Sequence, residues 1–276
     1  MLTQDRFEVD GVTGLRVGGG LFGKPLMTVI LYRAGDLLID TASYHTRPLV
    51  RQFVQESPIR QVLLTHFHED HAGNAGYLQR EFGLPVFGHT NTAARLANPV
   101  RLLPYEHFMF GKLETATVQP YLSLIRCGDV QLTPIPTPGH CDDHTVYLER
   151  NKGWLFSGDL FVASKIKIWR KSENMEQTIR ALDTVLQQDF EILFCGHNPQ
   201  YKNAKTLVKQ KRDQLNGLVE QAVALRQRGC GFSEIYNRMD VGQEKWVTKL
   251  ITFGDVSYRN MIKAAMVAAD ERLLGQ

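Results

Sequence analysis

Residues 64–73 read LTHFHEDHAG: three histidines and two carboxylates stand between His66 and His71, directly behind the apolar run Val62-Leu63-Leu64. At the end of a buried strand each such group must be hydrogen-bonded, left in solvent or bound to something. Three further segments repeat the design. LTPIPTPGH ends in His140, GWLFSGD in Asp159 and EILFCGH in His197. In each, a strand-like run stops at Gly, Pro or Thr and a metal-competent side chain follows. The carboxyl ends of strands in open α/β architectures share one edge, where loops assemble sites. His66, His68, Asp70, His71, His140, Asp159 and His197 would converge there. Five of the chain's nine histidines fall in this pattern, too many for unrelated structural histidines.

The spacing predicts two ions rather than one. His66 and His68 are two residues apart, so on an extended or turning segment both reach the same side and grip one ion. Asp70 and His71 follow the turn into a helix announced by Ala72-Gly73, and can face a neighbouring ion. A catalytic zinc takes about three protein ligands and leaves a position for water. His140 and His197 supply the third ligand for each ion, and Asp159, with two oxygens, can bridge them.

Around these segments the chain reads as α/β. Strands are expected near Leu15-Arg16-Val17, over 28–33 and over 37–40, followed by a helix over 46–56 and the strand IRQVLLT. A helix over 73–82, the strand LPVFG and a short helix over 91–97 come next. Residues 98–128 carry no regular pattern. Strands return at 130–135, 144–149 and 154–156, a helix covers 174–188, and EILFC closes the series. Strands interleaved with helices indicate helices covering sheets. From Pro199 the pattern is helical alone: Ala204, Val208, Leu215, Leu218, Ala222 and Leu225 form one apolar stripe. The expected division is a catalytic domain over 1–200 and a helical C-terminal subdomain over 201–276.

Composition narrows the classes. With 276 residues, 43% hydrophobic and 22% charged, the chain has the make-up of a globular protein. A net charge of +3 does not by itself argue for nucleic acid. No signal-peptide core and no membrane-length apolar run is present, so a cytoplasmic location without a membrane partner is expected. The four cysteines are widely spaced, with neither a zinc-ribbon nor a disulfide pattern. Gly18, Gly23 and Lys24 in GGGLFGKP have P-loop spacing, but Pro25 stands where a Ser/Thr would touch magnesium and a β-run follows, so a hairpin loop is expected.

His66-Phe67-His68-Glu69-Asp70-His71, with the later His140, Asp159 and His197 in order, resembles the metallo-β-lactamase superfamily and its H-x-H-x-D-H motif. The resemblance covers about residues 10–200. It implies a four-layer αββα sandwich with the site on the shared sheet edge. It further implies that His66, His68 and His140 hold one metal while Asp70, His71 and His197 hold the other. By the same analogy Asp40, in LLIDTA, orients a ligand histidine. His144 either supports the site or simply opens the next strand, and Glu69 is left facing solvent.

The implied activity is metal-dependent hydrolysis by a metal-bridging hydroxide, with Asp70 and Asp159 at the catalytic centre. Two divalent ions are expected, zinc first and iron or manganese as alternatives. Asp159 stands where a true β-lactamase usually has Cys, and the flavodiiron pattern is missing. Two enzyme readings remain. One is a glyoxalase II-like or lactonase-like hydrolase of a small ester, thioester or lactone, although GHNP replaces the GHEY usual in glyoxalase II. The other is a phosphodiesterase or endoribonuclease of the same fold. A non-catalytic metal-binding protein is the remote alternative. Lys165 and Lys167, in KIKIWRK, and the basic helix over 201–230 are candidates to meet an anionic group. A small anionic substrate is favoured over nucleic acid. Oligomeric state leaves no mark in the sequence.

Overall fold

The strand Met27–Ala34 shows how the layers are built, because successive side chains on a strand point to opposite faces. Val29 and Leu31 enter one core with Val50 and Phe53 of a covering helix, while Ile30, Tyr32 and Ala34 enter a second core with Phe156 and Phe194 of another sheet. The computed structural model describes residues 2–19, 25, 27–56, 58–99, 101–239 and 246–275. Gly23 and Lys24 of the P-loop-like spacing lie outside them.

The chain forms two compact units. The first comprises Met1–Pro136, Asp143–Val162 and Asp189–Ala204. Its first sheet runs in chain order through β1 (Leu2–Val9), β2 (Val12–Gly19), β3 (Met27–Ala34), β4 (Leu37–Ile39), β5 (Gln61–Leu63), β6 (Val86–Gly88) and β7 (Val118–Pro120). Pairing is antiparallel from β1 to β4 and parallel from β4 to β7. Between these strands stand α1 (Arg47–Gln55), α2 (Glu69–Ala72), α3 (Ala75–Phe82), α4 (Thr90–Ala97) and α5 (Pro104–Phe110). The second sheet contains β8 (Ile125–Cys127), β9 (Val130–Pro136), β10 (Thr145–Glu149), β11 (Trp154–Gly158) and, beyond β12 in the chain, β13 (Ile192–Cys195). Here β11 and β13 are parallel neighbours. Phe156 and Phe194 stack with centroids 5.0 Å apart, and Tyr32 of β3 meets both edge-on, so aromatic rings fill the space between the sheets.

The second unit comprises Thr137–Asp142, Ala163–Gln188 and Lys205–Gln276. It contains β12 (Trp169–Arg170), α6 (Met175–Leu186), most of α7 (Ala204–Gln227), α8 (Phe232–Arg238), α9 (Trp246–Ile251), β14 (Val256–Ser257) and α10 (Tyr258–Leu274). The chain passes from the first unit to the second for the last time between Ala204 and Lys205, and the second unit also takes in residues 137–142 and 163–188. No helix among the described residues is long and apolar enough to cross a membrane.

Two expectations need correction. The stretch 98–128, which carried no visible pattern, contains α5, β7 and β8. Pro104 opens α5, where its fixed φ suits the first helical turn, and Glu106 Oε2 accepts the Leu103 N–H at 2.8 Å. Glu69 is 3% exposed rather than solvent-facing, because all four residues of α2 are buried.

Candidate metal centre

Parallel pairing sets the site. Because β4 and β5 run side by side in the same direction, Asp40 emerges next to Thr65 and His66. In the other sheet β11 and β13 bring Asp159 and His197 together by the same logic.

Asp40 has φ 61, a left-handed conformation that Asp tolerates better than most residues. The turn aims its carboxylate at Thr65 and His71. Oδ1 accepts the Thr65 N–H at 2.8 Å, and Oδ2 accepts His71 Nδ1–H at 2.7 Å. Thr65 Oγ1 lies 2.8 Å from Asp40 Oδ2 and 3.0 Å from His66 Nδ1. Asp40 is 2% exposed, and His66 and His71 are wholly buried. The LLIDTA aspartate thus bridges Thr65 and His71 by hydrogen bonds.

On its inner side His71 Nε2 lies 3.2 Å from Asp159 Oδ1 and 3.9 Å from Asp70 Oδ2. His197 Nε2 lies 3.3 Å from Asp159 Oδ1 and 3.5 Å from Asp70 Oδ2. The His197 Nδ1–H donates to the Thr28 carbonyl of β3 at 2.7 Å, which fixes the tautomer with Nε2 inward. His68 lies beside His66, ring centroids 4.7 Å apart. Within the first unit, two sets of ligand atoms among the described residues each fit within 4.8 Å: His66, His71 and Asp159, and Asp70, His71 and His197. The latter is the set that the resemblance assigns to the second ion.

The donor chemistry suits a divalent cation. The sets are nearly buried, consist of imidazole nitrogens and carboxylate oxygens alone, and have their outer ring nitrogens already engaged by Asp40, Thr28 and Thr65. Electrostatics agrees. Burial opposes charge on His197, but Asp159 and Asp70 outweigh it and raise its pKa to about 9. His71 moves in the same direction against burial, through Asp159, Asp70 and Asp40. Burial pushes the Asp159 carboxyl up, yet His197 and His71 hold it well below the usual range. Cationic partners are what these carboxylates are arranged to meet.

Two glycines make the close packing feasible. A Cβ on Gly158, whose φ is 47, would stand 2.8 Å from His144 Nε2 and 2.9 Å from Thr65 Cβ. One on Gly196 would stand 2.6 Å from His71 Cε1. His144 directly precedes β10, and its Nε2 accepts the Asp159 N–H at 3.1 Å.

His140 belongs to the second unit, where its Nδ1 pairs with Glu173 Oε1 at 2.6 Å. Lys165 and Lys167 are exposed there; Ile166, between them, exchanges two hydrogen bonds with Gln214 of α7. The basic residues of α7 are largely answered by acids: Arg212 by Asp183, Arg226 by Asp270 and Lys209 by Asp213. His45 and His107 are exposed, and His89 caps α4 by accepting the Asn91 N–H.

Several supporting residues carried no sequence signal. Tyr147 of β10 donates its hydroxyl to the Leu64 carbonyl at 2.7 Å, and Tyr32 donates to the Cys195 carbonyl at 2.6 Å. Each latches a strand end two residues before a candidate ligand histidine, His66 for Tyr147 and His197 for Tyr32. Buried Asp143 accepts the Phe67 N–H at 3.0 Å and so fixes the backbone between His66 and His68.

Two face-to-face sheets, with His and Asp side chains gathered at the ends of parallel strand pairs, define a class of metal-binding α/β sandwich. The model of the metallo-beta-lactamase superfamily matches residues 22–197, and the chain belongs to that superfamily. Beta-lactamase-like protein 2 homolog of Drosophila melanogaster is 25% identical over 177 residues, covering 61% of this chain and 54% of the relative. Hydroxyacylglutathione hydrolase of Rhodopseudomonas palustris is 26% identical over 187 residues, covering 66% of each. The chain thus spans only about half to two thirds of the length of these relatives. A metallo-beta-lactamase family protein from Thermus thermophilus shares the fold, with a TM-score of 0.62, 20% identity and coverage of 97% of this chain and 94% of that one.

Proposed function

We propose that this chain is a metal-dependent hydrolase of a small ester, thioester or lactone. The observation that carries the reading is the pair of buried His/Asp donor sets built around His71 and Asp159. In this reading His66, His68 and His140 hold one ion, Asp70, His71 and His197 hold a second, and Asp159 is shared. Zinc suits these ligands first, and iron or manganese fit the same donors. When bound, the ions supply a water acidified to near neutral pKa and a Lewis acid for the substrate oxygen.

The chain's own residues hold and limit the reacting centre. Asp159 is fixed from behind by His144, and Asp70 by its place in buried α2. Beside Asp70 the surface is formed by Val17, Thr28, Val29, Ser43 and Phe110, polar and apolar side chains together. Lys165 and Lys167 would meet an anionic substituent, and the helical segment over 201–276 would form an appended subdomain carrying α7 to α10.

A panel of thioesters, lactones, aryl esters, phosphodiesters and short RNA, run with and without chelator, tests this. Turnover of the acyl substrates should vanish with chelator, return with zinc, and be absent in Asp159→Ala at unchanged circular dichroism. Turnover confined to phosphodiesters or RNA would transfer the assignment to the phosphodiesterase reading. Chelator-insensitive turnover would overturn both.

A further inference from the structure

We propose that Glu173 is a positioning residue for His140 and that the C-terminal segment holds it in place. The inference rests on the reading of His140 as a metal ligand, and every contact it uses lies within the second unit.

The Nδ1 to Oε1 separation is 2.6 Å, with the two side chains only 13% and 14% exposed. Against the Glu173 carboxylate Nδ1 is the donor, and Nε2 is the ring nitrogen left to meet an ion. His71 has the same relation to Asp40 and His197 to the Thr28 carbonyl. Glu173 therefore does for His140 what different elements do for the other rings.

Glu173 is itself held from several directions. Its Oε2 accepts the Arg170 N–H at 3.1 Å, and its carbonyl accepts Trp169 Nε1–H at 3.3 Å. Both donors sit on β12, which pairs antiparallel with β14. Arg170 Nε meets Asp255 Oδ2 at 3.2 Å, the Lys171 N–H donates to the Asp255 carbonyl at 2.9 Å, and Asn260 Nδ2 donates to the same carbonyl at 2.7 Å. The loop bearing His140 is seated on the same turn, since the Asn174 N–H donates to the Gly139 carbonyl at 2.8 Å. Residues 254–260 thus clamp the turn that orients a histidine far earlier in the chain.

The test strips wild type, Glu173→Ala, Glu173→Gln, Asp255→Ala and His140→Ala with chelator and reloads each with Co(II). Metal-to-protein ratio, dissociation constants from competition with a chromophoric chelator, and visible absorption are read. Glu173→Ala should weaken one of two ions about 10- to 100-fold and shift its absorption bands, leaving the other ion unchanged. Glu173→Gln keeps an oxygen acceptor for Nδ1–H and should recover most of the affinity, and Asp255→Ala should show a smaller loss in the same direction. Wild-type affinities and spectrum in Glu173→Ala, while His140→Ala loses an ion, would overturn the inference. So would equal losses in the Ala and Gln variants. Two ions retained at wild-type affinity in His140→Ala would instead remove the ligand reading on which it rests.

Discussion

His197 donates Nδ1–H to Thr28 and turns Nε2 toward Asp159 and Asp70, and those carboxylates hold its pKa at about 9 in spite of burial. With ions stripped by a chelator, the ring is an imidazolium at pH 7, and His71 shifts the same way. A divalent ion needs the lone pair the proton occupies, so binding must expel that proton. Affinity should therefore rise from pH 7, by about tenfold per pH unit for each proton displaced, and level off above about pH 9. Chelator competition at pH 6, 7, 8 and 9 reads this directly, and a flat profile would exclude a proton on His197 in the metal-free protein over this range. Asp159, held low, does not compete for protons in this window.

At the scale of elements, the helices over the first sheet are tied by one carboxylate. Glu114 meets Arg47 of α1 at 2.9 Å, Arg80 of α3 at 2.6 Å and Lys112 at 3.1 Å. Burial raises its pKa, but the Arg80, Lys112 and Arg47 hydrogen bonds win and bring it to about 2. A carboxylate with a depressed folded pKa stabilises above its unfolded value, and that contribution is lost as pH falls toward the folded one. Urea midpoints of wild type should therefore fall more steeply between about pH 4.5 and pH 2 than those of Glu114→Gln. Parallel slopes would assign the cluster no net stabilisation, as for many surface ion pairs. Most of the site's protein partners are illegible in the sequence for a related reason. His66 to His71 announce themselves within six residues, whereas Tyr32 meets a carbonyl 163 positions away, Tyr147 one 83 positions away, and Glu173 a histidine 33 positions away. Each is a single ordinary residue whose meaning comes from packing. Asp40 is legible only because it follows a strand at the place the superfamily motif predicts. Glu69 misleads because an acid in a short helix ordinarily faces water, and α5 because seven residues opened by a proline show no clear period.

For the whole molecule, metal and fold are linked, since ions that bind only the native arrangement stabilise it. At a free concentration a hundred times the dissociation constant each ion adds about 2.7 kcal/mol, which raises Tm by several degrees in a chain of this size. Melting curves with chelator and with excess zinc should separate accordingly, and superimposed curves would argue against tight binding at the donor sets.

The two tyrosine latches have a consequence for variation. Tyr32 and Tyr147 grip, from within the sheet interior, the strand ends that lead into His197 and His66, so the course of the chain into these two residues is set beneath the site. The rim near α5 is thereby at liberty to change with little disturbance to the metal-binding floor. A scaffold anchored from below can exchange one substrate for another by altering its walls alone.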